Sequence, residues 1–318
     1  MMAEREVFCY DRRSGQMVRE SVLGCGMIRF VYSPPIHPFS GALLGHALVS
    51  LLMGWYADRP GSRGRIAKTI RSTGIDMAQV VVPEGGFPTF NAFFTRRLVA
   101  GARPFPDRPE ILGSPADCRL TVYPRLEEGT CVPVKGRRFT VAALLGKEGE
   151  GELPAFRGGS LCVCRLAAID YHRYHYPDDG TERARWRVGR RYESVHPFAL
   201  SRNLPIFTEN VRTVSILETA HFGKVAFVEV GAFGVGSITQ THAESAFRRG
   251  EEKGYFSFGG STIILVFGPD AVRFDADLLE QSAKGVESLV HAGEAIGRMV
   301  MPDHQCQPIS GDMPSSPL

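Results

Sequence analysis

From about Gly113 to Asp275 the chain is a succession of short runs rich in Val, Ile, Phe and Tyr, cut by Gly, Pro and Asp. Examples are "RLTVYPRL", "GSLCVCRLAAIDYHRYHYP", "RTVSILETAHFGKVAFVEVGAFGVGSI" and "STIILVFG". Runs of this length and residue type fit strands and are broken too often for long helices, so this part of the chain predicts a mostly β body. The 35 glycines and 21 prolines supply the turns that such a body needs. In "GYFSFGGSTIILVFG" a Gly-Gly pair runs into Ser261 and Thr262, and the apolar Ile263 to Phe267 reads as a buried strand. A hydroxyl at the mouth of that strand, behind two residues without side chains, is compatible with a β-bulge, a nucleophile on a strained turn, or a bond built to break.

Ahead of the β body lies "GALLGHALVSLLMGWYA", Gly41 to Ala57, with Ser40 as a possible N-cap. It is 17 residues long and holds His46, Ser50 and three glycines, whereas a spanning helix needs roughly 20 mostly apolar residues. Arg59, Arg63, Arg65, Lys68 and Arg71 follow at once, and Trp55 and Tyr56 sit where an interfacial belt would. The pattern suits a helix laid on an anionic bilayer surface; a buried core helix followed by a solvated basic turn fits the same residues. The segment Leu278 to Gly297 reads as a short helix and turn, and "CQPISGDMPSSPL" as a frayed tail.

The balance of 37 Lys plus Arg against 34 Asp plus Glu, a net charge of +3, gives no case for nucleic acid as a partner. Seven cysteines without a C-x-x-C pair indicate neither a disulfide framework nor a zinc ribbon and suit a reducing compartment. The opening "MMAEREVFCYDRR" is charged and lacks the apolar core of a signal peptide, so secretion is not expected.

Four polar clusters could carry chemistry. "SPADCRL" places Asp117 after a Ser-Pro turn, where an Asp commonly serves as a turn former or cap. "DYHRYHYP" places His172 and His175 three apart, neighbours on a helix but on opposite faces of a strand. With no Cys or carboxylate at ligand spacing they make a weak zinc site, and acid/base work or a place in the core fits better. "HPFALSRNLPIFTENVR" holds His196, Arg202, Asn203, Glu209 and Asn210 in a loop-like setting. "VEVGAFGVGSI" has neither the G-x-x-x-x-G-K-[ST] pattern nor a strand-to-helix context, so it reads as tight β packing rather than a phosphate loop. Ser261 lacks the G-x-S-x-G elbow leading into a helix that an ordinary hydrolase would show.

Taken in order, "FPTFNAFFTRRL", "SPADCRL", "DYHRYHYP", "PIFTENVR", "VEVGAFGVGSI" and "EEKGYFSFGGSTIILVF" resemble the phosphatidylserine decarboxylase family of pyruvoyl enzymes, over roughly Phe87 to Gly297. The resemblance implies a proenzyme that cuts itself at the Gly-Ser bond of a G-S-T motif, here Gly260-Ser261. The Ser261 hydroxyl would attack the Gly260 carbonyl to give an ester, and elimination followed by loss of ammonia would turn Ser261 into a pyruvoyl group. Gly260 lacks a Cβ and can adopt strained backbone at small cost. A serine hydroxyl is a poor nucleophile without a base and a group that orients the base. By the resemblance His175 is that base, Asp117 its orienting carboxylate, and His172 the group that protonates the carbanion or handles the substrate carboxylate. The pyruvoyl group is then the only cofactor: it joins the amine of the serine headgroup as a Schiff base and draws off electrons as CO2 leaves, with no metal.

The expected architecture is α+β. An N-terminal helical membrane-associating portion, residues 1–103, precedes a β-rich catalytic body, residues 104–318, which divides on cleavage into chains 1–260 and 261–318. The two chains should stay together, since the second begins with a core strand whose apolar side chains each contribute about 1.5–3 kcal/mol when buried. The expected partners are the phospholipid substrate and a membrane surface, on the cytoplasmic face of the cell membrane and peripheral to it, with a homodimer implied by the resemblance alone. One position departs from the family pattern: S-P-x-D-G is usual, and Cys118 stands at the glycine. If that residue had positive φ, Cys118 would carry strain of about 1–3 kcal/mol. A non-catalytic lipid-binding protein on the same fold would stay at full length, and a serine hydrolase would react with acylating inhibitors without losing ammonia.

Overall fold

The computed structural model describes residues 8–20, 47–126, 132–134, 137–191, 206–231, 237–259 and 261–300. It is a mixed α/β structure with a β-rich body and few helices. Its spine is a ten-stranded sheet. From edge to edge the strands are Ala246–Phe247, Gly180–Val188, Arg212–Thr219, Gly223–Gly231, Ser261–Phe267, Ser160–Leu166, Cys118–Tyr123, Ser288–Val290, Phe8–Asp11 and Gln16–Arg19. Neighbours are antiparallel except Phe8–Asp11 beside Ser288–Val290. The strands nearest the N-terminus among the described residues thus close one edge of this sheet.

The strand Ser261–Phe267 is central and buried along its whole length. Its unbroken apolar run has a direct cause, because both faces of the sheet are covered. Ile263, Leu265 and Phe267 pack with Cys162, Cys164 and Phe227 on one side. Ile264 and Val266 pack with Leu161, Val163, Ala226 and Val228 on the other. At the strand's start Ser261 lies in register between Gly231 and Leu166, so the strand that opens "VEVGAFGVGSI" is its direct neighbour.

A three-stranded sheet of Arg173–His175, Glu252–Phe256 and Ile238–Gln240 covers the first face. Gly254 is needed there: a Cβ would stand 2.3 Å from the Thr239 carbonyl oxygen and 2.6 Å from the Tyr174 hydroxyl. Buried Lys253 ties the two sheets together, donating to Glu229 Oε1 at 2.6 Å, Gln240 Oε1 at 2.9 Å and Ser215 Oγ at 3.0 Å. Those are all three donors of an ammonium group.

The N-terminal helices form a module of their own. Helix α1, Ala47–Ala57, is followed by α2, Gly64–Thr73, and by the short α3, Phe90–Phe94. Phe87, Phe90, Phe93 and Phe94 build its core, with Ile66, Ile70, Met77 and Leu98 against them, and Ala168 and Phe258 of the β body complete it. Residues 41–46 of the apolar stretch lie outside the described residues, as do residues 192–205, 232–236 and the C-terminal tail. The segment Leu278 to Gly297 departs from its helix-and-turn expectation: a helix spans Ala276–Ala283, and strands Ser288–Val290 and Ala295–Met299 follow. Residues 288–290 pair with Cys118–Leu120, a partner no local pattern reveals.

Candidate active site

Ser261 is fully buried at the head of the central strand. Its Oγ stands 3.2 Å from Nδ1 of His172, which is equally enclosed. The other ring nitrogen, Nε2, lies 2.9 Å from the carbonyl oxygen of Ala167. A carbonyl only accepts, so Nε2 carries the hydrogen and Nδ1 presents its lone pair to the Ser261 hydroxyl. Burial, and next the positive charge of Arg96, push the His172 imidazole down to about 3, so it is neutral at physiological pH. The Phe94 ring of α3 stacks on it with centroids 3.9 Å apart.

The two histidines singled out in the sequence occupy different settings. His172 precedes the strand Arg173–His175 and faces Ser261. His175 ends that strand beyond an irregularity after Tyr174, between the rings of Tyr171 and Phe105. Its Nδ1 is buried without a hydrogen-bond partner, and burial again lowers its pKa.

Asp117 is buried and engaged by another residue. Arg103 grips it from two nitrogens at 2.7 Å each, and the Ala292 N–H donates to it at 2.9 Å. Burial alone would raise its pKa; the Arg103 hydrogen bonds and charge outweigh that and hold it below the usual carboxylate value. Its negative charge still acts on both His172 and His175. Gly260 lies outside the described residues; Gly259 before it has φ of 143°, backbone that L side chains rarely adopt.

Sequence reasoning passed over a buried charge network behind the site. Arg165 binds Glu20 at 2.9 Å and Glu287 at 2.6 Å, and Arg119 reaches Glu20 at 3.3 Å and hydrogen-bonds Asp170. Asp170 also accepts from the N–H of Ala167, the residue whose carbonyl holds His172. Arg96 is buried too, donating to the carbonyls of Ile169 and Asp170. The signal was present in "CRLTV" and "CVCRLA", where an arginine stands inside an apolar strand and burial demands a carboxylate partner.

Cys118 is not strained. It opens the strand Cys118–Tyr123, is fully buried, and among the described residues only Asp270 is a non-glycine with positive φ.

On the N-terminal module Leu52, Trp55 and Tyr56 of α1 are exposed, with the guanidinium of Arg59 over the Trp55 ring at 4.3 Å. No helix among the described residues is long and apolar enough to cross a membrane.

Residues 90–298 match the family model described as phosphatidylserine decarboxylase. A phosphatidylserine decarboxylase proenzyme of Chlamydia trachomatis is 34% identical over 299 residues, 93% of this chain and 99% of that protein. One of Clostridium novyi is 39% identical over 280 residues, covering 87% and 94% of the two chains. Phosphatidylserine decarboxylase proenzyme 3 of Schizosaccharomyces pombe is 43% identical over 258 residues, 80% of this chain; the match spans 26% of that longer protein.

Proposed function

The chain belongs to the phosphatidylserine decarboxylase family, and we propose that it converts phosphatidylserine to phosphatidylethanolamine and CO2 after cutting its own Gly260-Ser261 bond. The observation that carries this reading is the enclosed Ser261 hydroxyl, 3.2 Å from an imidazole nitrogen that can only accept.

In the self-cleavage His172 Nδ1 takes the hydroxyl proton while Ser261 Oγ bonds to the Gly260 carbonyl carbon. The bond from that carbon to the Ser261 nitrogen breaks, the nitrogen takes up the proton, and an ester joins the two halves. Removal of the Ser261 Cα proton expels the Gly260 carboxylate from Cβ and leaves a dehydroalanine. Water then converts its nitrogen-bearing carbon to a keto carbonyl with release of ammonia. Residues 1–260 end on a carboxylate, and residues 261–318 begin with the pyruvoyl group.

The surroundings fit such a group: Ser261 is enclosed and its side chain meets a neutral imidazole. Once formed, the group supplies the electron sink for loss of CO2 from an amine-bearing headgroup. His172 Nδ1 stands beside the position where that group forms, and a proton it first takes up from water or substrate is the one it passes to the carbon that CO2 leaves.

A second reading keeps the assignment implied by the resemblance, with His175 as the base for cleavage and Asp117 orienting it. The unpartnered Nδ1 of His175 and the Asp117 charge acting on it favour that reading.

The membrane-associating part falls within residues 1–103, where exposed Leu52, Trp55 and Tyr56 adjoin the basic run from Arg59 to Arg71. The body is residues 104–318. The protein acts as a homodimer, peripheral to the cytoplasmic face of the membrane, with the phospholipid as its partner and no role for nucleic acid.

Intact-mass spectra of the protein and of Ser261→Ala test the reading. Two fragments splitting at 260/261, the smaller with a pyruvoyl mass, against a whole variant chain support it; a single full-length mass in both, with membranes present, refutes it.

A further inference from the structure

Helix α3 touches both halves of the cleavage machinery, yet no step above uses it. Its Phe94 ring lies on the imidazole of His172. Its Phe90 and Phe94 rings both meet Phe258 edge-on, at 5.1 and 5.3 Å. From the same helix Asn91 Oδ1 accepts a hydrogen bond of 2.8 Å from the backbone N–H of Phe258, three residues before Ser261. Among the described residues this is the last backbone hydrogen bond before the two glycines, and Gly259 has no side chain to steady the backbone that follows.

The Asn91 amide has a defined orientation. Its Nδ2 donates to Asp58 Oδ1 at 2.7 Å, just past the end of α1. A carboxylate only accepts, so a flipped amide would set oxygen against oxygen at Asp58 and N–H against N–H at Phe258, losing both bonds. The helix is itself pinned to the same N-terminal segment, since the Phe90 N–H donates to the buried Ser62 Oγ at 2.8 Å, and that hydroxyl has the carbonyls of Arg59 at 2.6 Å and Ala57 at 2.9 Å as its acceptors.

We infer that Asn91 is a positioning residue for self-cleavage: with Asp58 orienting its amide, it holds the Phe258-Gly259 backbone so that the Gly260-Ser261 peptide group meets Ser261 Oγ, while Phe94 on the same helix holds His172. The inference rests on the self-cleavage reading above. Its physical content is proximity. An intramolecular attack depends steeply on how often the reacting atoms meet, and a misplacement of about 1 Å can cost about 100-fold.

The test follows cleavage of full-length protein made by cell-free synthesis, on denaturing gels, for the wild type, Asn91→Ala, Asn91→Asp, Asp58→Asn and the double variant Asn91→Asp/Asp58→Asn. Melting temperatures of each, measured on a Ser261→Ala background, report folding separately. Asn91→Ala should slow cleavage about 10- to 100-fold, and Asn91→Asp at least as much, since two carboxylates then face each other. The double variant should return to within about 3-fold of wild type. Its new amide can donate to the new carboxylate, which still accepts from Phe258.

A role in packing alone predicts slowing that follows the loss of melting temperature, with no rescue in the double variant. Cleavage of Asn91→Ala at the wild-type rate, or a double variant that folds but stays as slow as Asn91→Asp, overturns the inference. A wild type that stays whole like Ser261→Ala removes the self-cleavage reading itself and the inference with it.

Discussion

With His172 as the base, a neutral state held by burial makes self-cleavage insensitive to acid over a range where an ordinary histidine would switch off. His172 has its pKa pushed down to about 3, first by burial and then by the charge of Arg96. At pH 5 about 1% of such a group is protonated, against about 97% of a histidine at its ordinary value near 6.5. The supply of neutral base at pH 5 therefore differs roughly 30-fold between the two cases. Protein synthesised in a short cell-free pulse, moved into buffers from pH 5 to 8.5 and sampled on denaturing gels, should cleave at a nearly constant rate. His172→Ala should lower that rate about 100- to 10,000-fold, the usual contribution of a positioned base. A base of such low pKa is weak, which suits a reaction each chain performs once. A roughly 30-fold fall from pH 8 to pH 5 with a midpoint near 6.5, in protein whose near-ultraviolet circular dichroism shows it still folded, would refute the argument. Loss of cleavage in His175→Gln together with normal cleavage in His172→Ala would move the base to His175.

The same shift sets an acid limb of stability on the uncut Ser261→Ala background. The unfolded chain takes a proton on this residue below about pH 6.5 while the folded chain resists it to about pH 3, so stability is lost as pH falls through that window, by a maximum of order 5 kcal/mol. Urea titrations at several pH values should show this limb, and adding His172→Gln should flatten it. Lys253→Met leaves the buried Glu229 carboxylate without its cation and should cost about 3–5 kcal/mol, whereas Lys253→Met with Glu229→Gln should recover much of that; equal losses in the two would show that the ion pair is not the source. Cys118→Gly should destabilise by about 1–2 kcal/mol, since it empties a filled core position and relieves no strain, and a higher melting temperature would contradict that. Glutamate at both Leu52 and Trp55, which are 56% and 57% exposed, should weaken flotation with anionic vesicles at least 100-fold if these side chains enter the bilayer, at about 1.5–3 kcal/mol each; unchanged flotation would place the contact elsewhere.

Much of this protein could be read along the chain because its causes are local. The strand Ser261–Phe267 announces itself as an apolar run, and the Gly-Gly-Ser junction before it is visible in the letters alone. His172, His175, Asp117 and Ser261 could all be named as candidates, for each is a reactive side chain beside a turn or a strand end.

What sets their surroundings apart acts at long range. Which histidine meets Ser261 depends on how the Arg173–His175 strand registers on Glu252–Phe256, and that register slips after Tyr174. Nothing near Asp117 in the chain says that Arg103 will fold onto it. The Ser288–Val290 strand, hidden in a segment that reads as helix and turn, exists because Cys118–Tyr123 offers it an edge. Nothing in "FNAFF" says that one helix will touch both the imidazole and the turn ahead of the cleaved bond. Local sequence sets which residues are reactive and which strands are buried, since propensity and patterning act over a few residues. The pairing of those residues is settled by strand register and by the partners that buried charges must find, and both are properties of the folded whole.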